Sequence, residues 1–168
     1  GLAYSIMGID LVTSPAIPSN TARAGGVVYP IIKSLAETYG SDPKKGTRKK
    51  IGSFLVFTEF HSNLITSATF MTAMAPNLVV VALAKTLNIN ITWVGWFVAG
   101  VLPSVLCLIA VPYIIYKMYP PEIKETPNAK TWANSELEKM GSMKLSEKLM
   151  GLIFLLTLVL WMLTSFIP

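Results

Sequence analysis

Charge is scarce in this chain: Asp, Glu, Lys and Arg make up 14% of the residues, against roughly 25% in a soluble domain. With 52% of residues hydrophobic, too little polarity is left to clothe a water-facing surface, and the composition is that of an integral membrane protein. Cysteine is almost missing. Cys107 stands alone inside an apolar run, which excludes a disulfide framework and a thiolate metal site. Histidine is limited to His61, too few imidazoles for a metal cluster. There is no nucleotide-binding loop, HExxH, CxxC or nucleophile elbow, and no nucleophile–base pair, so an enzyme is the weakest reading. The net charge of +5 does not indicate nucleic acid, because the basic residues collect in two loops without aromatic interleaving. Chain position 1 is Gly1 and the sequence enters apolar residues directly. It reads as a piece of a longer protein, with no recognisable signal peptide.

The apolar run from Leu2 to about Leu35 is interrupted by Pro18-Ser19-Asn20-Thr21-Ala22-Arg23-Ala24-Gly25-Gly26. Each apolar arm, Leu2–Ile17 and Val27–Leu35, is shorter than the ~20 residues a helix needs to cross a bilayer. Backbone that leaves helical geometry at membrane depth must be buried in protein or line a wet cavity. Residues 1–38 are therefore expected to form a re-entrant helical hairpin with a polar tip, the place where carriers put ligands.

The rest of the chain divides by charge and apolar length. Residues 39–50 hold Lys44, Lys45, Arg48, Lys49 and Lys50 against Asp42, the strongest positive-inside signal present, which places this loop in the cytoplasm. Residues 51–87 are apolar but too long for one straight crossing. Pro76 predicts a helix broken near 73–77, with halves Ile51–Thr72 and Leu78–Leu87. Asn88–Thr92 is an uncharged outer loop. A transmembrane helix follows over 93–118, with Trp93 and Trp96 as interfacial anchors and kinks at Pro103 and Pro112. Residues 119–148 read as a cytoplasmic amphipathic segment, where Ser135 and Glu138 fit a capping box. A last span covers 149–168. The fold class is all-α integral membrane: a re-entrant hairpin, one broken transmembrane helix, two further transmembrane helices and a surface helix.

Four groups of residues have the chemistry of a site. Ser19, Asn20 and Thr21 offer hydroxyl and amide oxygens to a hard cation, and the same groups with nearby N–H donors suit a carboxylate. The tripeptide is also ordinary turn chemistry; the two short arms around it favour a binding tip. Arg23, a charge at membrane depth, either attracts an anion electrostatically or forms a structural pair with Asp10 or Glu59. The break at Ala73–Asn77 frees backbone oxygens and adds the Asn77 amide, a ready cation site opposite a hairpin tip; the plain alternative is a proline kink. Glu59, Asn63, Thr66 and Ser67 share one helix face by spacing, a pattern that more often serves helix–helix hydrogen bonding. His61 falls off that stripe.

The tip and its surroundings, Ala16-Ile17-Pro18-Ser19-Asn20-Thr21-Ala22-Arg23-Ala24-Gly25-Gly26 with Tyr29-Pro30-Ile31, resemble the first Ser-Asn-Thr signature of the divalent anion:sodium symporter family. The likeness is greatest to its citrate–succinate antiporter and 2-oxoglutarate/malate translocator branch. It extends through Phe70-Met71-Thr72-Ala73-Met74-Ala75-Pro76-Asn77, Trp93-Val94-Gly95-Trp96 and Met118-Tyr119-Pro120-Pro121-Glu122-Ile123, and so covers nearly the whole chain. The resemblance implies an elevator-type, dimeric secondary carrier of di- or tricarboxylates in the cell inner (plasma) membrane or an organellar inner envelope membrane. It also implies anion exchange or sodium symport, and no cofactor other than Na+. By that resemblance Ser19, Asn20 and Thr21 contact substrate, while Ser19, Asn20, Ala73 and Asn77 hold sodium, partly through backbone oxygen. Three departures stand out: Pro15 or Ser14 occupies the place of a further serine, Ala73 that of a glycine, and one Ser-Asn-Thr hairpin is present where the family carries two. The chain then supplies half of a site. The competing reading is a non-transporting membrane scaffold or assembly subunit.

Overall fold

Residues Leu2–Thr13 form α1, the chain turns through residues 14–19, and helical geometry resumes at Asn20. The computed structural model describes residues 1–126 and 129–166; within them the regular structure is all helix, with no strand. At about 1.5 Å per residue α1 covers only about 18 Å, well short of a hydrocarbon core of about 30 Å. The return arm comprises α2 (Asn20–Ala22), a π-helical turn (Arg23–Val28) and α3 (Tyr29–Thr38). Pro30 accounts for the wide turn. It has no N–H, and its ring crowds the carbonyl of Gly26 four residues back. The backbone answers with i→i+5 bonding, as in Tyr29 N–H to the Ala24 carbonyl, a bulge that often marks functional segments.

α3 stops at a Schellman motif. Gly40 takes φ +65°, the Ser41 N–H reaches the Ala36 carbonyl at 2.8 Å and the Gly40 N–H the Glu37 carbonyl at 2.9 Å, closing carbonyls a helix end leaves open. The basic loop that follows is pinned by buried Ser41. Its Oγ accepts from the Gly52 N–H at 3.0 Å and lies 3.1 Å from the Thr47 and Arg48 carbonyls. One hydroxyl thus caps the start of α4 (Gly52–Thr69) from across the loop.

α4 ends at Thr69, and α5 (Ala75–Thr86) starts after residues 70–74. The non-helical stretch precedes the expected 73–77 because Pro76 does not break a helix here. It lies in the first turn of α5, where a missing N–H removes no bond. α5 closes on a second Schellman motif, with Asn88 at φ 60°. α6 (Trp93–Met118) carries both Pro103 and Pro112 without interruption. α7 (Ala129–Met140) begins six residues before Ser135, so the expected capping box falls inside the helix and not at its start. α8 (Leu145–Leu163) begins four residues ahead of the expected span, helped by Glu147, whose carboxylate accepts from the Lys144 N–H at 2.8 Å. The far end of that span, Ile167 and Pro168, lies outside the described residues.

α6 and α8 are long and apolar enough to cross a membrane. α8 has no buried residue, so its apolar surface is directed away from the rest of the chain. The core lies elsewhere. Ala3 and Ile6 of α1, Val28, Ile32 and Leu35 of the return arm, Ile51, Phe54 and Leu55 around the start of α4, and Ile115 of α6 form one buried cluster. It packs α1 and residues 28–35 onto the start of α4, next to the basic loop. The opposite half of the α1–α4 contact is polar.

Candidate functional site

At the turn between α1 and α2, Ser19 is engaged and its neighbours are not. Ser19 has extended backbone, and its Oγ accepts from the Ala22 N–H at 3.2 Å, the N-cap role that satisfies a free donor at a helix start. Asn20 is half-buried, Thr21 is exposed, and neither side chain has a hydrogen-bond partner among the described residues. The amide of Asn20 and the hydroxyl of Thr21 are thus not tied to the rest of the described chain.

Arg23, three residues on, has the opposite fate. It is fully buried, and each of its five N–H groups meets an acceptor. Nε donates to Asp10 Oδ1 at 2.7 Å. Nη1 reaches the carbonyls of Ile17 at 3.2 Å and Ala73 at 3.3 Å, and Nη2 reaches Ser67 Oγ at 2.8 Å and Thr66 Oγ1 at 3.4 Å. A guanidinium has five donors, so none is left for an anion. Of the two partners the sequence left open, Asp10 is the one used. Asp10 is itself closed: Asn63 Nδ2 donates to Oδ1 at 3.0 Å and the Thr66 hydroxyl donates to Oδ2. The buried pair is thus hydrogen-bonded at every turn, the condition under which two charges can be held away from water.

The same guanidinium joins the two interruptions of the fold, since Ile17 belongs to the hairpin turn and Ala73 to the break between α4 and α5. Thr72 makes the second joint. Its hydroxyl donates to the Pro15 carbonyl at 2.9 Å and accepts from Trp93 Nε1 at 3.3 Å. Trp96 Nε1 donates to the Ala68 carbonyl at 2.9 Å. Trp93 is buried against Phe70 and Phe97, which also stack on each other, so its ring packs inside the protein where an interfacial anchor was expected. Asn77 is buried, and its Nδ2 donates to the carbonyls of Ser67 at 2.8 Å and Phe70 at 3.0 Å. It caps the end of α4 from the first turn of α5. Ser14 donates to the Leu11 carbonyl at 2.9 Å and is committed to its own helix.

The polar face of α4 therefore divides. Asn63, Thr66 and Ser67 bond to the hairpin. Glu59 and Ser62, with Thr58, are buried with no partner for any side-chain oxygen. His61 lies off the face, its Nδ1 2.8 Å from the Phe57 carbonyl and its ring against Phe57 and Phe60. Among the described residues there is no group of His, Cys, Asp or Glu that could hold a metal. Pairwise joints such as Thr72 to Pro15 depend on how the arms cross, and periodicity carries no signal for that. Asp10 did have one: a lone carboxylate in an apolar arm.

Residues 1–167 match a protein family described as the sodium:sulfate symporter transmembrane region. A candidate malate transporter of Bacillus subtilis (strain 168), YflS, is 54% identical over 96% of this chain and 34% of its own length. Dicarboxylate transporter 2 of Spinacia oleracea, chloroplastic, is 44% identical over 96% of this chain and 29% of its own. The L-tartrate/succinate antiporter of Escherichia coli (strain UTI89 / UPEC) is 40% identical over 95% and 33%. The chain spans about a third of the length of these curated relatives. These are transporters and not enzymes. With a match over all but its last residue, the chain belongs to the sodium:sulfate symporter family of membrane proteins.

Proposed function

We propose that this chain forms one half of the substrate site of a secondary active carrier for di- and tricarboxylates such as succinate, malate, 2-oxoglutarate or citrate. Residues 1–38 dip into the membrane and return, α4 and α5 form the halves of a broken transmembrane helix, and the intact carrier works as a homodimer. Ser19 organises the tip, while Asn20 and Thr21 donate to a substrate carboxylate. The observation that carries this reading is the contrast at the tip. In a chain whose other membrane-depth polar groups are largely bonded internally, Asn20 and Thr21 face outward without a partner, in a segment whose relatives are named for malate, dicarboxylates, and tartrate and succinate.

For coupling, we infer exchange over sodium symport. Sodium at this site would draw on Ser19, Asn20, Ala73 and Asn77, with backbone oxygen prominent. Yet Arg23 already places a permanent cation between the Ile17 and Ala73 carbonyls. A fixed positive charge at the joint of tip and break supplies what a mobile ion otherwise would.

The test is exchange of labelled succinate or malate by the full-length carrier in liposomes. Asn20→Ala should lose exchange while remaining folded, and wild-type exchange should persist when choline replaces sodium. Normal exchange by Asn20→Ala refutes the tip assignment. Strict sodium dependence refutes the coupling. A full-length protein with no substrate-dependent exchange or thermal shift is instead the scaffold subunit.

A further inference from the structure

Glu59 is the one buried carboxylate of the hairpin–α4 contact that the network around Arg23 does not serve. Both its oxygens, with Thr58 Oγ1 and Ser62 Oγ, are sealed from solvent by the chain's own atoms and have no hydrogen-bond partner. Neither the Thr58 nor the Ser62 hydroxyl of its own helix donates to it. Its surroundings contain no counter-charge to spare. From α1, Asp10 faces it, already bonded to Arg23, Asn63 and Thr66. From the π-helical turn comes Arg23, with all five donors engaged. α2 contributes no titratable group. On α3, Lys33 and Glu37 pair with each other at the surface, 3.9 Å apart, and Tyr29 is exposed. On α6, the Tyr116 ring packs on Phe54, Lys117 lies over the Tyr113 ring, and Cys107 is exposed. On α4 itself His61 turns toward Phe57 and Phe60.

An isolated carboxylate in such a place would carry a desolvation penalty far beyond that of a neutral polar group. Something must neutralise it, and the space decides what. No water-sized volume touches any of the four oxygens, so neither a side chain from elsewhere in a longer protein nor an oxygen-caged metal ion can reach them in this conformation. A proton needs no room.

We propose that Glu59 is a proton-binding site, separate from the Ser19–Thr21 tip, and that the carrier must take up one proton there to adopt the packed arrangement seen here. The step is a simple transfer: a proton from water joins the carboxylate as the site closes and returns to water when it opens. No electrons move. The proposal rests on the carrier reading above and adds a proton to each carboxylate movement through this state.

The experiment measures exchange of labelled succinate by the full-length carrier in liposomes across a pH series, comparing wild type, Glu59→Gln and Asn20→Ala. In wild type, exchange should fall about tenfold per pH unit on the alkaline limb, the slope of a single titrating group; the inward and outward legs each carry one proton, so net proton flux is zero. Glu59→Gln, which copies the neutral acid in size and charge, should exchange with a flat pH profile. It should also melt no lower than wild type. Wild-type exchange that ignores pH, a pH dependence that survives Glu59→Gln, or a Glu59→Gln carrier that fails to fold would each overturn the proposal. Asn20→Ala separates the two ideas. If it abolishes exchange while Glu59→Gln behaves as wild type, the carrier reading stands and the proton site falls; if it exchanges normally, the tip assignment falls.

Discussion

Asn20 and Arg23 lie three residues apart in one polar motif, yet one faces outward unbonded and the other is buried with every donor occupied. Helical geometry separates them. Three positions along a return arm are nearly one turn, but the arm begins at Asn20, so the tip projects beyond the packing that encloses Arg23. The comparison teaches that a polar interruption at membrane depth has two jobs. Its leading residues keep no internal partner, and it is there that we propose a ligand binds, while its trailing charge ties the turn after α1 to the stretch between α4 and α5. A second contrast runs along α4: Asn63, Thr66 and Ser67 complete the Arg23–Asp10 network, while Glu59, one turn before Asn63, is left with none.

The sharpest way to break the first contrast is Arg23→Met in the full-length carrier. It strands Asp10 as a buried, uncompensated charge and should cost about 3–5 kcal/mol. The check is the yield and melting temperature of detergent-solubilised protein. If Arg23 instead binds substrate, the variant will melt normally and lose only transport. The double variant Arg23→Met with Asp10→Asn removes both charges and should recover part of the loss, since the stranded carboxylate is the larger penalty.

Asn77→Ala opens the seam between α4 and α5. The buried Ser67 carbonyl loses its side-chain donor while the Phe70 carbonyl keeps the Ala73 N–H, and the expected destabilisation is about 1–3 kcal/mol. Read by hydrogen exchange, the increase should concentrate at residues 70–80 and leave the basic loop unchanged. The smallest effect is Ser41→Ala, about 1 kcal/mol by loss of a helix cap, with faster exchange confined to the amides of Ile51 and Gly52 and transport retained.

The element types were legible because apolar arm length and proline position act locally. The break shifted toward Phe70 because Pro76 is tolerated at a helix start, a choice made by the break's capping partner and not by the proline alone. The shared face of Glu59, Asn63, Thr66 and Ser67 followed from spacing. Which of these residues would meet Asp10 did not, since that depends on how α1 crosses α4. Likewise, Arg23 could be recognised as a costly charge, but Asp10 and Glu59 were equal candidates until the crossing placed Asp10 beside it. Trp93 misled for a similar reason: an indole at the start of a span suits the membrane interface, and here Thr72 offers it a partner inside.

Substrate-induced stabilisation of the full-length carrier tests most directly whether the tip serves ligand and not scaffold. Wild type and Asn20→Ala should melt alike without substrate. Saturating succinate or malate at about 100 times Kd should stabilise wild type by about 2.7 kcal/mol and leave Asn20→Ala unmoved. A variant that melts far below wild type yet keeps the full substrate shift would contradict the assignment and return Asn20 to the scaffold.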